Sequence, residues 1–289
     1  MVLGIRGRIS EYPVATFFVV AYVLSWTAWS PLVFAEWWAT WSPLILAGDL
    51  QTMVFIMAGG FGPLVAAALV TWAIGDSVRE WAGQLLRWNV SLRYWAFALL
   101  FPAVAIVTAS AIHIVVFDGQ FAPESTSTLV LYPVLFLQVF FVGGGNEELG
   151  WRGFALPRFQ KSYSALVASL LIGVVWFAWH LPLFAVAGSS QAGVPMYYYA
   201  LAVVALSVVF TWLYNETGGS VLVTMVLHAS VNTGGILYLA GGGAALQTEL
   251  PNALYAVVFL LAALAVVAAY GPKRLSDVEV STGPSGSQR

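Results

Sequence analysis

The chain has 289 residues; 60% are hydrophobic, 8% are charged and the net charge is −2, with a mean hydropathy of +0.85. Soluble domains carry about 25% charged residues, so this composition excludes a soluble globular protein and, lacking any basic cluster, a nucleic-acid binder; it points to an all-α integral membrane protein. Cysteine is absent, which excludes disulfides, a thiol nucleophile and any thiolate metal site.

A membrane helix needs about 20 mostly apolar residues. Eight segments qualify: residues 12–34, 50–74, 94–117, 129–157, 164–184, 196–214, 219–240 and 252–270. The first follows Arg6 and Arg8, and Val33-Phe34-Ala35 has the look of a cleavage site. Its apolar run exceeds the about 7–15 residues of a signal-peptide core, so it reads as a first span. Trp37, Trp38 and Trp41 beyond it form an interfacial belt. Residues 76–93, with Trp81, Leu85, Leu86 and Trp88 among charges, read as an amphipathic helix on the membrane surface. His113, near the outer end of the third span, has no polar companion at helical spacing and reads as structural.

The fourth span ends in "GGGNEELGWRG", residues 143–153. Ionisable groups at membrane depth are costly and mark functional sites by default. Glu148 and Arg152 are four apart and pair on one helix face. Glu147 is rotated about 100° away and is left without a partner in its own helix. A desolvated carboxylate is a better base near neutral pH, so Glu148 reads as structural and Glu147 as chemical. Gly143, Gly144 and Gly145 mark either a close helix approach or a break. In the fifth span Pro182 follows His180, so the helix is expected to unwind there. In the seventh, His228 and Asn232 share a face and need a polar partner from elsewhere, whereas Thr224 and Ser230 can bond to their own backbone. Counted from the cytoplasmic ends, His180 lies several residues deeper than His228, whose depth Glu147 matches. The last fifteen residues, Ser- and Gly-rich, read as disordered.

Basic residues collect on the cytoplasmic side of membrane proteins. With eight spans, all eleven Lys and Arg fall on one side, while Glu36, Asp49, Asp118, Glu124 and Glu249 fall on the other. The expected architecture is therefore a bundle of about eight transmembrane helices with both termini cytoplasmic. Residues 1–270 form the membrane domain and 271–289 a cytoplasmic tail.

Glu147-Glu148 with Arg152, then "WFAWHLP" at 176–182, then His228 with Asn232 resemble, in that order, the three-motif signature of the CAAX-protease and bacteriocin-processing (CPBP or Abi) family of intramembrane endopeptidases. Trp151 is typical of the first motif. Trp176 stands where the second has an aromatic residue, with a slight departure in its identity. "GFGPLVAAAL" at 61–70 resembles the family's early Gly-Pro span. The resemblance covers roughly residues 50–240. It implies a multi-pass membrane protease of the cell membrane acting on a peptide or membrane-associated protein, prenylated or plain, without a cofactor. Glu147 would activate a water, His180 would hold it, and His228 and Asn232 would stabilise the oxyanion. Glu148 and Arg152 would orient these groups, and a polar cavity would open toward the cytoplasm. Three other readings stay open: a zinc enzyme with Glu147, His180 and His228 as ligands, a proton-coupled transporter, and a non-catalytic scaffold or immunity protein.

Overall fold

A computed structural model describes residues 2–39 and 49–278. Trp41 of the expected aromatic belt, and the tail from residue 279 onward with Arg289, lie outside the described residues. Among the described residues the structure consists of helices joined by turns and loops, with one isolated bridge pairing Ala122 with Ala240. The principal helices are α1 (Pro13–Val33), α2 (Asp49–Gly60), α3 (Gly62–Ala73), α4 (Leu92–Val116), α5 (Tyr132–Val142), α6 (Ala165–Trp179), α7 (Met196–Glu216), α8 (Val221–Gly234) and α9 (Glu249–Tyr270).

Six segments among the described residues are long and apolar enough to cross a membrane: α1, Leu50–Ala73 across α2 and α3, α4, Ala165–Ala185 across α6 and the turn after it, α7, and α9. The other two expected crossings are built differently. Residues 129–157 do not form one helix: α5 has 11 residues, the Gly143-Gly144-Gly145 run stops it, and a second helical stretch begins at Gly145. Glycine costs about 1 kcal/mol per helical position relative to alanine, so three in a row end a helix. The seventh crossing contains a 14-residue helix, α8, roughly 21 Å long at about 1.5 Å per residue. The two shortened segments carry Glu147, Glu148, Arg152, His228 and Asn232.

The bundle is held by close helix pairs. α7 packs on α6 and α9, α8 on α4 and α5, and α1 on α3. An aromatic cluster joins α1 to the segment that follows α5: Phe17 lies 5.5 Å from Trp151 and 5.1 Å from Phe154, and Trp29 lies 4.7 Å from Trp179 on α6. Aromatic pairs at these separations contribute about 0.5–1.5 kcal/mol beyond their buried area.

One end of the bundle gathers the basic residues, as their sequence positions imply. Arg158 pairs with Asp76 at 2.6 Å and Arg93 stands 3.9 Å from Glu216. Arg87 donates to the carbonyl of Gly218 at 2.6 Å. Residues 76–93 do not form the expected surface helix. They make a five-residue helix (Val78–Ala82) and a 3-10 turn (Gly83–Leu86), drawn inward by hydrogen bonds from Trp81 and Gln84.

The tail also begins otherwise than expected. Leu275 and Ser276 are buried. Glu216, at the end of α7, accepts from Ser276 Oγ at 2.8 Å and from the Asp277 backbone at 2.7 Å. The carbonyls of Pro272 and Lys273 receive the N–H groups of Leu166 and Ala165, which belong to the first turn of α6 and have no partner within it. Unsatisfied donors and a buried carboxylate thus dock a segment whose composition reads as disordered.

Candidate active site

The site is built on the irregular helical stretch that follows α5. It opens as a 3-10 turn (Gly145–Glu147), passes through one α turn (Glu148–Gly150), and widens into a π-helical turn (Trp151–Ala155). Such π turns concentrate at functional sites. Pro157 has no N–H to give the carbonyl of Gly153; Gln84 Nε2 donates to it instead at 3.0 Å, while Trp81 Nε1 donates to the carbonyl of Leu149 at 3.1 Å. Gly150 lies against the Gly62-Pro63 start of α3, where a Cβ would stand 2.6 Å from the Pro63 carbonyl oxygen. The early Gly-Pro motif therefore packs directly against the paired glutamates' helix.

Glu148 is fully buried. Its Oε1 accepts from Arg152 Nη1 at 2.8 Å, the expected pair, and from His228 Nδ1 at 2.7 Å. The Arg152 guanidinium, also fully buried, lies between the rings of Trp176 (4.7 Å) and Phe210 (4.3 Å). Its Nη2 reaches Ser207 Oγ at 3.4 Å. Mutual neutralisation, hydrogen bonds and two aromatic faces offset part of the desolvation of these charges; Glu148 Oε2 and Arg152 Nε stay buried without a hydrogen-bond partner among the described residues.

Glu147 is buried as well, with 5% of its surface exposed against none for Glu148. The expectation that it has no partner in its own helix is corrected. Trp151, four residues on, donates its indole N–H to Glu147 Oε2 at 3.1 Å, and Trp176 of α6 donates to the same oxygen at 3.0 Å. Sequence reasoning weighed charged partners and passed over the indole N–H, a donor of fixed direction. The signal was present as a tryptophan at i+4.

His180 enters through Trp176. α6 ends at Trp179 and gives way to a 3-10 turn (Leu181–Ala185), the unwinding expected of Pro182. His180 Nδ1 lies 2.8 Å from the carbonyl oxygen of Trp176, so Nδ1 carries the proton and Nε2 keeps its lone pair. The same helical turn answers the depth mismatch read from the sequence. Trp176, one turn earlier, meets Glu147, and its ring lies 5.2 Å from that of His228. His180 sits one turn further along, its ring 5.6 Å from that of Tyr199.

His228 and Asn232 find the outside partners their spacing called for: Glu148 for the first, and for the second the Gly143 carbonyl, to which Asn232 Nδ2 donates at 3.0 Å. Asn232 is exposed rather than buried. Thr224 and Ser230 bond to their own helix, as expected. The glycine run is both a break and a close approach. Gly144 adopts φ +138°, and a Cβ there would stand 2.6 Å from His228 Nε2 and 2.7 Å from Asn232 Nδ2. Asn146, unremarked in the sequence, pins this turn: its side chain accepts from Gly144 N at 3.3 Å and donates to the Gly60 carbonyl at 3.0 Å. His113 lies elsewhere, bonded to Tyr238 at 3.1 Å.

The residues fit a zinc site poorly. Among the described residues no three His, Asp or Glu side chains converge as metal ligands, Glu147, His180 and His228 included. A cavity of about 700 Å³ is apolar and lies away from Glu147, between α1 (Tyr22, Val23, Trp26) and Val175; it is not the polar cavity expected around the glutamates.

Residues 129–234 match the family model for type II CAAX prenyl endopeptidases, Rce1-like. The chain is 31% identical over 145 residues to the CAAX prenyl protease 2 of Methanococcus maripaludis, covering 46% of this chain and 52% of that relative. The chain thus matches about half the length of the curated relative.

Proposed function

We propose, from the match of residues 129–234 to the Rce1-like CAAX prenyl endopeptidase family model, that this integral membrane protein is an intramembrane endopeptidase in which Glu147 activates the attacking water. The observation that carries the reading is the division of labour between adjacent glutamates. Glu148 is fully buried and its Oε1 is committed to Arg152 and His228, while its Oε2 is closed off from solvent without a partner among the described residues. Glu147 has only neutral donors, both on Oε2, and among the described residues its Oε1 takes no protein hydrogen bond.

In this mechanism Glu147 takes a proton from the water, and the hydroxide adds to the scissile carbonyl. His180, with Nδ1–H committed to the Trp176 carbonyl, accepts a hydrogen bond from the water at Nε2. The oxyanion is met by Asn232, whose amide has a second hydrogen beyond the one given to Gly143. It is also met by His228, which in its doubly protonated form donates from Nε2 while Nδ1 stays on Glu148. The tetrahedral intermediate collapses as Glu147 returns the proton to the leaving amine and the C–N bond breaks. No step calls on a metal ion.

The substrate class in this proposal is a peptide or membrane-associated protein, prenylated at its C-terminus or plain. Both chain termini and the basic end of the bundle face the cytoplasm, in keeping with the distribution of Lys and Arg, and the cell membrane is the proposed location. The test is cleavage of prenylated and plain quenched fluorescent peptides by purified protein in liposomes. Wild type should cleave and a folded Glu147→Ala variant should not. Equal cleavage by both would remove Glu147 from the chemistry.

A further inference from the structure

Two indole N–H groups converge on one carboxylate oxygen, and the reaction outlined above does not use either of them. Trp151 and Trp176 come from different helices, are both buried, and reach Glu147 Oε2 at 3.1 and 3.0 Å. A carboxylate oxygen with two N–H donors is held in place and has its lone pairs engaged. The other oxygen is then the one left to take a proton.

We propose that Trp151 and Trp176 are positioning residues that select Oε1 of Glu147 as the working base. This rests on the reading of Glu147 as the water-activating group. Trp176 does more than donate one bond. Its ring covers the Arg152 guanidinium at 4.7 Å and meets His228 at 5.2 Å, and its backbone carbonyl orients His180. One residue therefore sets the relative placement of base, oxyanion group and water-holding group. Placement within tenths of an ångström matters because near-attack geometry carries much of the catalytic advantage.

A third tryptophan supplies the control. Trp212 on α7 is buried like the other two and packs against Tyr94, Phe97 and Tyr270, away from Glu147, yet its Nε1 has no hydrogen-bond partner among the described residues. Replacing any of the three by phenylalanine removes similar volume, but only Trp151→Phe and Trp176→Phe remove a donor from Glu147.

The experiment has two readouts. In the first, indole ¹H–¹⁵N resonances are recorded on wild type and on Trp151→Phe, Trp176→Phe, Trp212→Phe, Glu147→Ala and Glu147→Gln. The two resonances that vanish in Trp151→Phe and Trp176→Phe should be those that move in both Glu147 variants, and the Trp212 resonance should stay. Unmoved Trp151 and Trp176 resonances overturn the proposal whether or not the protein cleaves anything. In the second, Trp151→Phe and Trp176→Phe should each lower kcat by about ten- to a hundredfold, the loss expected for a hydrogen bond to a charged group, with KM unchanged. Trp212→Phe should lower thermal stability comparably and leave kcat within about twofold. An equal kcat loss in all three would make the effect one of packing and overturn the positioning role. Resonances that move as stated in a protein that cleaves no peptide would place the failure in the protease reading, with the indole contacts intact.

Discussion

Glu148 and His228, 80 residues apart in the chain, are joined by a 2.7 Å hydrogen bond from imidazole Nδ1 to carboxylate Oε1, the oxygen that also takes Arg152 Nη1 at 2.8 Å. One buried oxygen thus ties the first motif to the third, and the guanidinium is stacked against Trp176 of the second. Removing its charge should act on stability and on chemistry together.

Glu148→Gln leaves Arg152 buried without its counter-ion. Breaking a buried pair from one side costs about 3–5 kcal/mol, so the thermal midpoint in detergent should fall steeply. Replacing Glu148 and Arg152 together by Gln and Met should recover part of that loss without restoring cleavage. A single variant that melts with wild type would show the pair to be solvated.

Gly144→Ala tests the close approach over His228. The φ of +138° is strained for any side chain, at a cost of about 1–3 kcal/mol, and the new methyl would stand 2.6 Å from His228 Nε2. Peptide cleavage should fall at least tenfold, more than Gly143→Ala produces. Retained activity would mean that Nε2 of His228 is not used.

Gln84→Leu removes the side-chain donor that replaces the N–H Pro157 lacks, leaving the Gly153 carbonyl buried and unpaired. An unmade bond of this kind costs about 1–3 kcal/mol. Hydrogen exchange should accelerate across residues 149–156, the stretch that includes the π turn, and a protection pattern identical to wild type would contradict the role given to Gln84.

Glu216→Ala should release the segment that ends α9's connection to the bundle. Its carboxylate accepts from Ser276, Asp277 and Tyr94, so without it the segment carrying the exposed Lys273 and Arg274 is freer to enter the trypsin active site. Cleavage there should be several-fold faster than in wild type. No change in rate would mean that Asn215, which donates to the Arg274 carbonyl at 2.7 Å, and the Ala165 and Leu166 N–H groups hold the segment without Glu216.

Chelation bears on the mechanism directly. Incubation with EDTA and with 1,10-phenanthroline, followed by dialysis, should leave peptide cleavage unchanged under the metal-free proposal. Loss of activity that zinc restores would overturn it.

The amino-acid sequence by itself determined the membrane class, the helical architecture and the gathering of basic residues at one end. These follow from composition, length and loop charge, properties that need no partner to be read. It also determined the Glu148–Arg152 pair, because i,i+4 spacing on a helix is local, and the unwinding after His180, because proline acts on its own backbone. What only the tertiary structure decided are contacts between segments far apart in the chain: Glu148 with His228, Trp176 with Glu147, Gln84 with Gly153, and the docked residues 272–278. Each arises where a buried donor or acceptor lacks a local partner, and the cost of leaving such a group unpaired brings distant segments together. The sequence shows which groups are in need. Which neighbour answers is a matter of packing, and there a tryptophan N–H, easily read as apolar bulk, serves as well as a charge.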